Sequence, residues 1–384
     1  MAAAHTPPPH VFVLIGSDGV GGVGRLVSTL DTILERHGAT SQVITLGPSK
    51  EKTGILVRHG VTVLDSRVPG GPLRRLIQLV ALRRLQRTLR PHAVVAFGPS
   101  ANAVAALARR RGIKTVIAEV GNPFIDRRRR WNRWWMWTYR RADTLILQTE
   151  RLASELRPHR SLPRDIQVIP NVLPPAVPLV APGTDRAHVV AGVGRFVAMK
   201  RYDDLLHAFA HLGPAATGWR ILLVGDGRER ARWNDLAERL GIADRIDMPG
   251  MHDAPWQLLA TASVFVLCSQ HEGFPTVLLE AMASGCAVVS SDCRYGPREV
   301  LAPSATEPAA GLLYPVGDVE ALSEHLRNLL GDAELRTRLA HQSAQRVTDF
   351  TADAIGPAWA RVLGLAQRVV STEAPIATPG TVDS

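Results

Sequence analysis

Short β-branched, apolar runs alternate along the chain with longer stretches whose apolar positions recur at helical spacing. VFVLIG at 11–16 opens the pattern, and a helix is predicted over about 23–37. Strand-like runs follow at SQVITL, AVVAFG, KTVIAEV, DTLILQT and DIQVIP, with helix-like segments between most of them. This alternation predicts a parallel α/β domain over 1–171. Residues 172–185, VLPPAVPLVAPGTD, interrupt it with Pro174, Pro175, Pro178 and Pro182 and read as a linker. A second alternating series, HVVAGVG, RILLVGDG, DRIDMPG, SVFVLCS, CAVVSSD and GLLYPV, predicts a similar α/β domain over 186–348. The polar, Pro-containing tail from 371 is expected to be disordered.

Composition adds limits. At 384 residues the chain exceeds what one hydrophobic core organises, in keeping with two domains. No apolar run approaches the roughly 20 residues that span a bilayer, and MAAAHTPPPH lacks the features of a secretory signal, so a cytoplasmic location is expected. Cys268, Cys286 and Cys293 have neither the number nor the spacing of a disulfide framework or a structural zinc site. The net charge of +10 is uneven: residues 1–171 hold 27 Lys and Arg against 11 Asp and Glu, and the remainder 18 against 24. A basic first half suits a polyanion or an anionic membrane, or simply a solvated surface.

The segment HEGFPTVLLEAMASGCAVVSSD runs from a strand end through a loop and helix into the next strand. Pro275 suits the helix start and Gly285 its end. Such a helix begins where open α/β sheets place ligands, and the amides of Thr276, Val277 and Leu278 could bind phosphate oxygens. Gly273 permits close backbone approach. Glu272 precedes the helix and Glu280 lies within it, about 6 Å along the axis from Thr276, roughly the span from a diphosphate to its ribose. Spacing alone also fits a helix with one chance acidic residue.

The surroundings decide more. EGFPTVLLEAMASG resembles the Glu-x7-Glu motif of retaining glycosyltransferases of family 4, which have the GT-B fold of two Rossmann-like, doubly wound parallel-sheet domains facing a cleft. The resemblance extends to GVGRFVAMKRYDDLLHAF, LLVGDGRERARWNDLAERLG, the IPNV of 169–172 and GLLYPVGDVEAL. It implies that Arg195 and Lys200 grip a donor diphosphate, that Glu280 holds the ribose, that Glu272 meets the sugar, and that Gly273, Phe274, Pro275, Thr276, Val277 and Leu278 line the donor site. It also implies that the nucleotide sugar is a co-substrate, UDP ahead of GDP, and that no metal or other cofactor is required. Retention in this fold is attributed to front-face attack assisted by the leaving phosphate. A segment at 349–369 resembles the last helix that crosses back onto the first domain.

Gly19-Val20-Gly21-Gly22-Val23-Gly24 satisfies GxGxxG after a strand, yet the acidic residue expected about 20 residues on is absent, because SQVITL runs into Gly47 and Pro48. The resemblance instead implies a glycine-rich loop facing the donor, with Gly21 and Gly22 near the diphosphate. Many relatives carry a His near the end of the strand matching KTVIAEV; this chain has Glu119 and Asn122 there, the candidates for sugar or acceptor contact. An Asn-Pro pair also simply starts a turn. His207 and His211 lack the Glu of HExxH and are expected to be surface or packing residues.

Residues 72–90 read as a basic amphipathic helix with Leu73, Leu76, Ile77, Val80 and Leu85 at helical spacing and six arginines. Residues 127–141 combine seven arginines with Trp131, Trp134, Trp135 and Trp137. Both suit an anionic membrane face presenting a lipid-linked or polysaccharide acceptor; nothing resembles a nucleic-acid-binding motif. The competing readings are a nucleotide-sugar epimerase of the same fold and a binding protein without turnover.

Overall fold

The computed structural model describes residues 8–16, 22–47, 61–64, 71–121, 137–183, 186–301 and 308–365. They build two parallel sheets. The first comprises β1 (His10–Ile15), β2 (Thr40–Thr45), β3 (Val61–Val63), β4 (Ala93–Phe97), β5 (Lys114–Glu119), β6 (Thr144–Leu147) and β7 (Asp165–Val168), ordered β3-β2-β1-β4-β5-β6-β7. The second comprises β8 (Ala187–Val193), β9 (Arg220–Val224), β10 (Ile246–Gly250), β11 (Ala262–Leu267), β12 (Ala287–Ser291) and β13 (Leu312–Tyr314), ordered β10-β9-β8-β11-β12-β13. In each, the chain steps outward from its first strand and then jumps to the other side. The result is one topological switch point between β1 and β4 and another between β8 and β11, the places where open α/β sheets bind ligands. This is the pair of parallel α/β domains expected from the alternation, in the doubly wound form that the resemblance implied. The three-residue edge strand β3 was not among the expected strands.

Helices cover both faces. Those of the first domain are α1 (Gly22–Arg36), α2 (Pro72–Leu89), α3 (Pro99–Ala108) and α4 (Glu150–Leu156). The second has α5 (Tyr202–His211), α6 (Arg230–Arg239), α7 (Pro255–Leu259), α8 (Thr276–Ala283), α9 (Pro297–Leu301), α10 (Val319–Gly331) and α11 (Ala333–Arg346). Because strand side chains alternate between faces, Val11, Val13 and Ile15 pack with Val27 and Leu30 of α1, whereas Phe12 and Leu14 pack with Ala101 and Val104 of α3. The last helix, α12 (Ala352–Leu363), joins the first of these clusters and sets Trp359 beside Phe97, ring centroids 6.1 Å apart. The proline-rich segment is packed: Val172 enters the core of the first domain, and Leu173 and Val177 enter that of the second.

Two further contacts tie the domains. Tyr295, from the loop after β12, is buried in the first domain's cluster with Phe12, Leu14 and Ile117, and its hydroxyl donates to Glu155 at 2.5 Å. Arg294 grips the same carboxylate through two nitrogens, at 2.8 and 3.2 Å. Glu299 of α9 accepts from the Glu150 and Arg151 amides, at 2.8 and 3.2 Å, and so caps α4 from the opposite domain.

Glu119, at the end of β5, is buried. Asn102 donates to the Tyr139 hydroxyl at 3.2 Å, and that hydroxyl donates to Glu119 at 3.0 Å. Burial pushes the Glu119 carboxyl up to about 7, against hydrogen bonds from Tyr139 and the Gly121 amide that favour ionisation.

Two outcomes follow from this packing. Tyr295→Ala should remove about 3 kcal/mol of stability, as a large-to-small core change does, and chemical denaturation should show the loss. For Glu119, the folded state holds the proton more tightly than the unfolded one. Its contribution is therefore complete below the ordinary value of 4.5 and is lost as pH rises through about 7. Glu119→Gln should thus match the parent near pH 4.5 and exceed it by on the order of 2–3 kcal/mol at pH 8, measured by urea unfolding.

Candidate active site at the facing switch points

The chemistry-bearing loops leave the carboxyl ends of the two central strand pairs. From the first sheet comes the connection after β1, which leads into α1; from the second come the turn after β8 and the loop after β11, which leads into α8. Pro275 precedes α8, and its ring restricts the entry dihedral; Gly285, at φ +77°, ends the helix where an L side chain would be strained. The Thr276 and Val277 amides have no backbone carbonyl partner among the described residues. The Leu278 amide is already committed to the Pro275 carbonyl at 2.9 Å. Two of the three expected anion-binding amides are therefore free at this helix start.

Asn171, from the IPNV segment, secures that start. Its side-chain amide donates to the Phe274 carbonyl and to the Thr276 hydroxyl, both at 3.1 Å, and Gln148 donates to its oxygen. Gly273 lies against the first domain: an added Cβ would sit 3.1 Å from the Val120 carbonyl oxygen and 3.3 Å from the Gly121 Cα. Its small size thus lets the two domains approach, where the sequence suggested approach to a ligand.

Glu272 and Glu280 differ sharply in surroundings. Glu272 is partly accessible and accepts from Lys200 Nζ at 2.6 Å. Lys200 runs past Gly194, where a Cβ would press on its Cε at 3.3 Å. Arg195, in the same turn, is exposed, with no ion-pair partner among the described residues. Glu280 is fully buried. Burial raises its pKa, and the Arg25 guanidinium opposes that by charge and hydrogen bond. Arg25 Nη1 donates to Glu280 Oε1, while Oε2 has no donor among the described residues. The Arg25 guanidinium also stands 5.7 Å from the centroid of Trp256.

The structure thus brings Glu272, Lys200, Arg195, the α8 amides and Glu280 to one edge of the second sheet. Lys200 is paired with Glu272, so in this state it faces a carboxylate where the sequence reading had a diphosphate. Glu119 is enclosed with Tyr139, away from solvent. Gly22 starts α1; Gly21 and Asn122 lie outside the described residues. Arg25, Trp256 and the Gln148–Asn171 relay were missed. The only signal for Arg25 was its place in the first turn of the helix that follows the glycines. Among the described residues no group of three His, Cys, Asp or Glu is arranged for a metal ion.

Comparison with known proteins matches residues 183–346 to the family described as "Glycosyl transferases group 1" and residues 21–172 to "Glycosyl transferase 4-like domain". The chain is 34% identical over 220 residues to an exopolysaccharide phosphotransferase of Streptomyces coelicolor, covering 56% of this chain and 23% of that protein. It is 35% identical over 178 residues to the lipopolysaccharide core biosynthesis glycosyltransferase LpsE of Rhizobium meliloti, covering 46% of this chain and 50% of that one. It thus spans about a quarter and about half of the length of these curated relatives. The solved structure of the lipopolysaccharide outer core galactosyltransferase WaaB superposes with a TM-score of 0.71 at 21% identity, over 92% of this chain and 99% of that one. With both domains matched in sequence and the whole architecture matched in space, the chain belongs to the family 4 glycosyltransferases of GT-B fold.

Proposed function

We propose that this chain is a retaining glycosyltransferase. It moves a sugar from a nucleoside-diphosphate donor, UDP ahead of GDP, to a lipid-linked saccharide or growing polysaccharide at the cytoplasmic membrane face. The observation that carries the donor reading is the alignment of Lys200, the free Thr276 and Val277 amides and buried Glu280 along one sheet edge. A diphosphate at the α8 start would meet the two amides, with Arg195 and Lys200 beside it. Its ribose would then fall at Glu280, an acceptor-only group suited to two hydroxyls. Two cations and helix amides stabilise the charge that develops on the departing nucleoside diphosphate, so the chemistry needs no metal. Glu272, which holds Lys200, would orient the sugar. The acceptor attacks from the face the diphosphate leaves, and a leaving oxygen takes its proton. The named relatives are an exopolysaccharide phosphotransferase and a lipopolysaccharide core biosynthesis glycosyltransferase, which supports a saccharide acceptor.

The membrane reading gains from α2. Its exposed side carries Leu73, Leu76, Ile77 and Val80, and its buried side carries Gln78, Leu82 and Gln86. An apolar stripe turned outward, flanked by exposed Arg83, Arg84 and Arg87, fits the interface of an anionic bilayer. Arg83, Arg109, Arg140 and Arg141 also line a cavity of about 470 Å³ beside this helix. Arg140 stacks over Trp137 at 4.2 Å, and the other tryptophans of this stretch lie outside the described residues. No described helix is long and apolar enough to cross a membrane.

Glu280→Ala should weaken UDP binding about ten- to a hundredfold in calorimetry, the worth of hydrogen bonds to a charged group; unchanged affinity would refute the ribose role. Leu76→Asp combined with Ile77→Asp should abolish flotation with vesicles containing anionic phospholipid while leaving UDP affinity intact. Undiminished flotation would remove α2 from the docking surface.

A further inference from the structure

With Glu280 taken as the ribose acceptor of the function proposed above, the ligand-free protein has an obstacle at that very group. The Glu280 side chain has no solvent exposure, and Arg25 from the other domain occupies one of its oxygens. Each carboxylate oxygen can accept two hydrogen bonds, so the obstacle is one of space: Glu280 has no exposed surface, and a ribose diol reaches it only when the Arg25 guanidinium that lies on Oε1 moves aside. Arg25 has five N–H donors and no acceptor, and once displaced it requires another anion. The nearest that the bound donor provides is its diphosphate at Thr276 and Val277, about one helical turn back along α8. Arg25 sits in the first turn of α1 with its side chain 28% exposed, and Trp256 walls one side of the guanidinium. The side chain therefore keeps freedom to turn while staying beside the site.

We infer that Arg25 is a donor-binding residue of the first domain: on donor arrival it leaves Glu280 for the diphosphate, and the ribose takes its place. The exchange keeps Arg25 ion-paired, a phosphate partner for a carboxylate partner, and leaves Glu280 with the two ribose hydroxyls as hydrogen-bond donors; it makes the first domain sense the charged portion of a ligand held by the second. It also separates two classes of ligand. A nucleoside displaces Arg25 and offers nothing in return, whereas a nucleoside diphosphate recruits it.

Titration calorimetry with UDP and with uridine, on the parent and Arg25→Gln, reads this directly. UDP should weaken about ten- to a hundredfold in the variant, the size expected for losing charge-assisted hydrogen bonds. Uridine should bind as tightly as before or severalfold tighter, and Arg25→Lys should recover part of the UDP affinity. A parallel loss for both ligands, or no change in either, would overturn the exchange and leave Arg25 a tie between domains. If the parent binds neither UDP nor GDP, the donor site itself is wrong and the exchange falls with it. A structure of the parent with UDP is the second measurement and does not depend on the variants folding. Arg25 on the diphosphate supports the exchange; Arg25 still on Glu280 overturns it.

Discussion

A carboxylate removed from water costs several kcal/mol unless a cation accompanies it, and at Glu280 that cation comes from another domain. Helix α8 is buried from Leu278 to Ala283, and every residue of that stretch other than Glu280 is apolar, so its neighbours along the helix cannot neutralise the charge. Arg25 can, provided the carboxyl edges of the two sheets stand face to face. The other interdomain contacts hold that distance: Arg294 and Tyr295 on Glu155, Glu299 on the α4 amides, and Gly273 against Val120. The pairing of Lys200 with Glu272 repeats the arrangement within the second domain. The site thus rests in a state where its strongest charges satisfy one another.

Much of this was legible in the chain. Parallel strands covered on both faces give uniformly apolar runs, which is why β1, β4, β11 and β12 stood out, and why the proline-rich break between the series was visible. The α8 segment was legible because proline and glycine punctuate it and two carboxylates flank a helix start. Edge strand β3 was not, since three residues carry too little pattern. Arg25 and Glu280 lie 255 positions apart, and Gln148, Asn171 and Thr276 are linked from two loops and a helix start. Local spacing holds no record of such contacts. Leu278 shows a finer limit: a proline before a helix predicts free amides, and whether the third is free depends on how tightly the first turn closes.

Helix α2 shows a different limit. Helical spacing groups Leu73, Leu76, Ile77 and Val80, which lie on one exposed face, but Leu85, expected in the same stripe, packs against the first domain's core with Leu79 and Leu82. Here the inner face carries Gln78, which donates to the Leu46 carbonyl, and Gln86. The helix thus carries apolar residues on both sides, with two buried glutamines among the inner ones, and periodicity alone did not separate the outward set from the inward one. The docking surface proposed above rests on this outward apolar set and on the surplus of arginine in the first half.

Tyr295 bears on how such an enzyme can change over evolutionary time. The ring belongs to the second half of the chain, yet it completes the hydrophobic interior of the first. The halves are consequently poor modules. A recombinant that joined this first half to a foreign second half would begin with a hole where the ring had been and an unanswered charge where Arg25 had met Glu280. The outer helices are freer to drift, while the seam between the halves must be inherited as a unit.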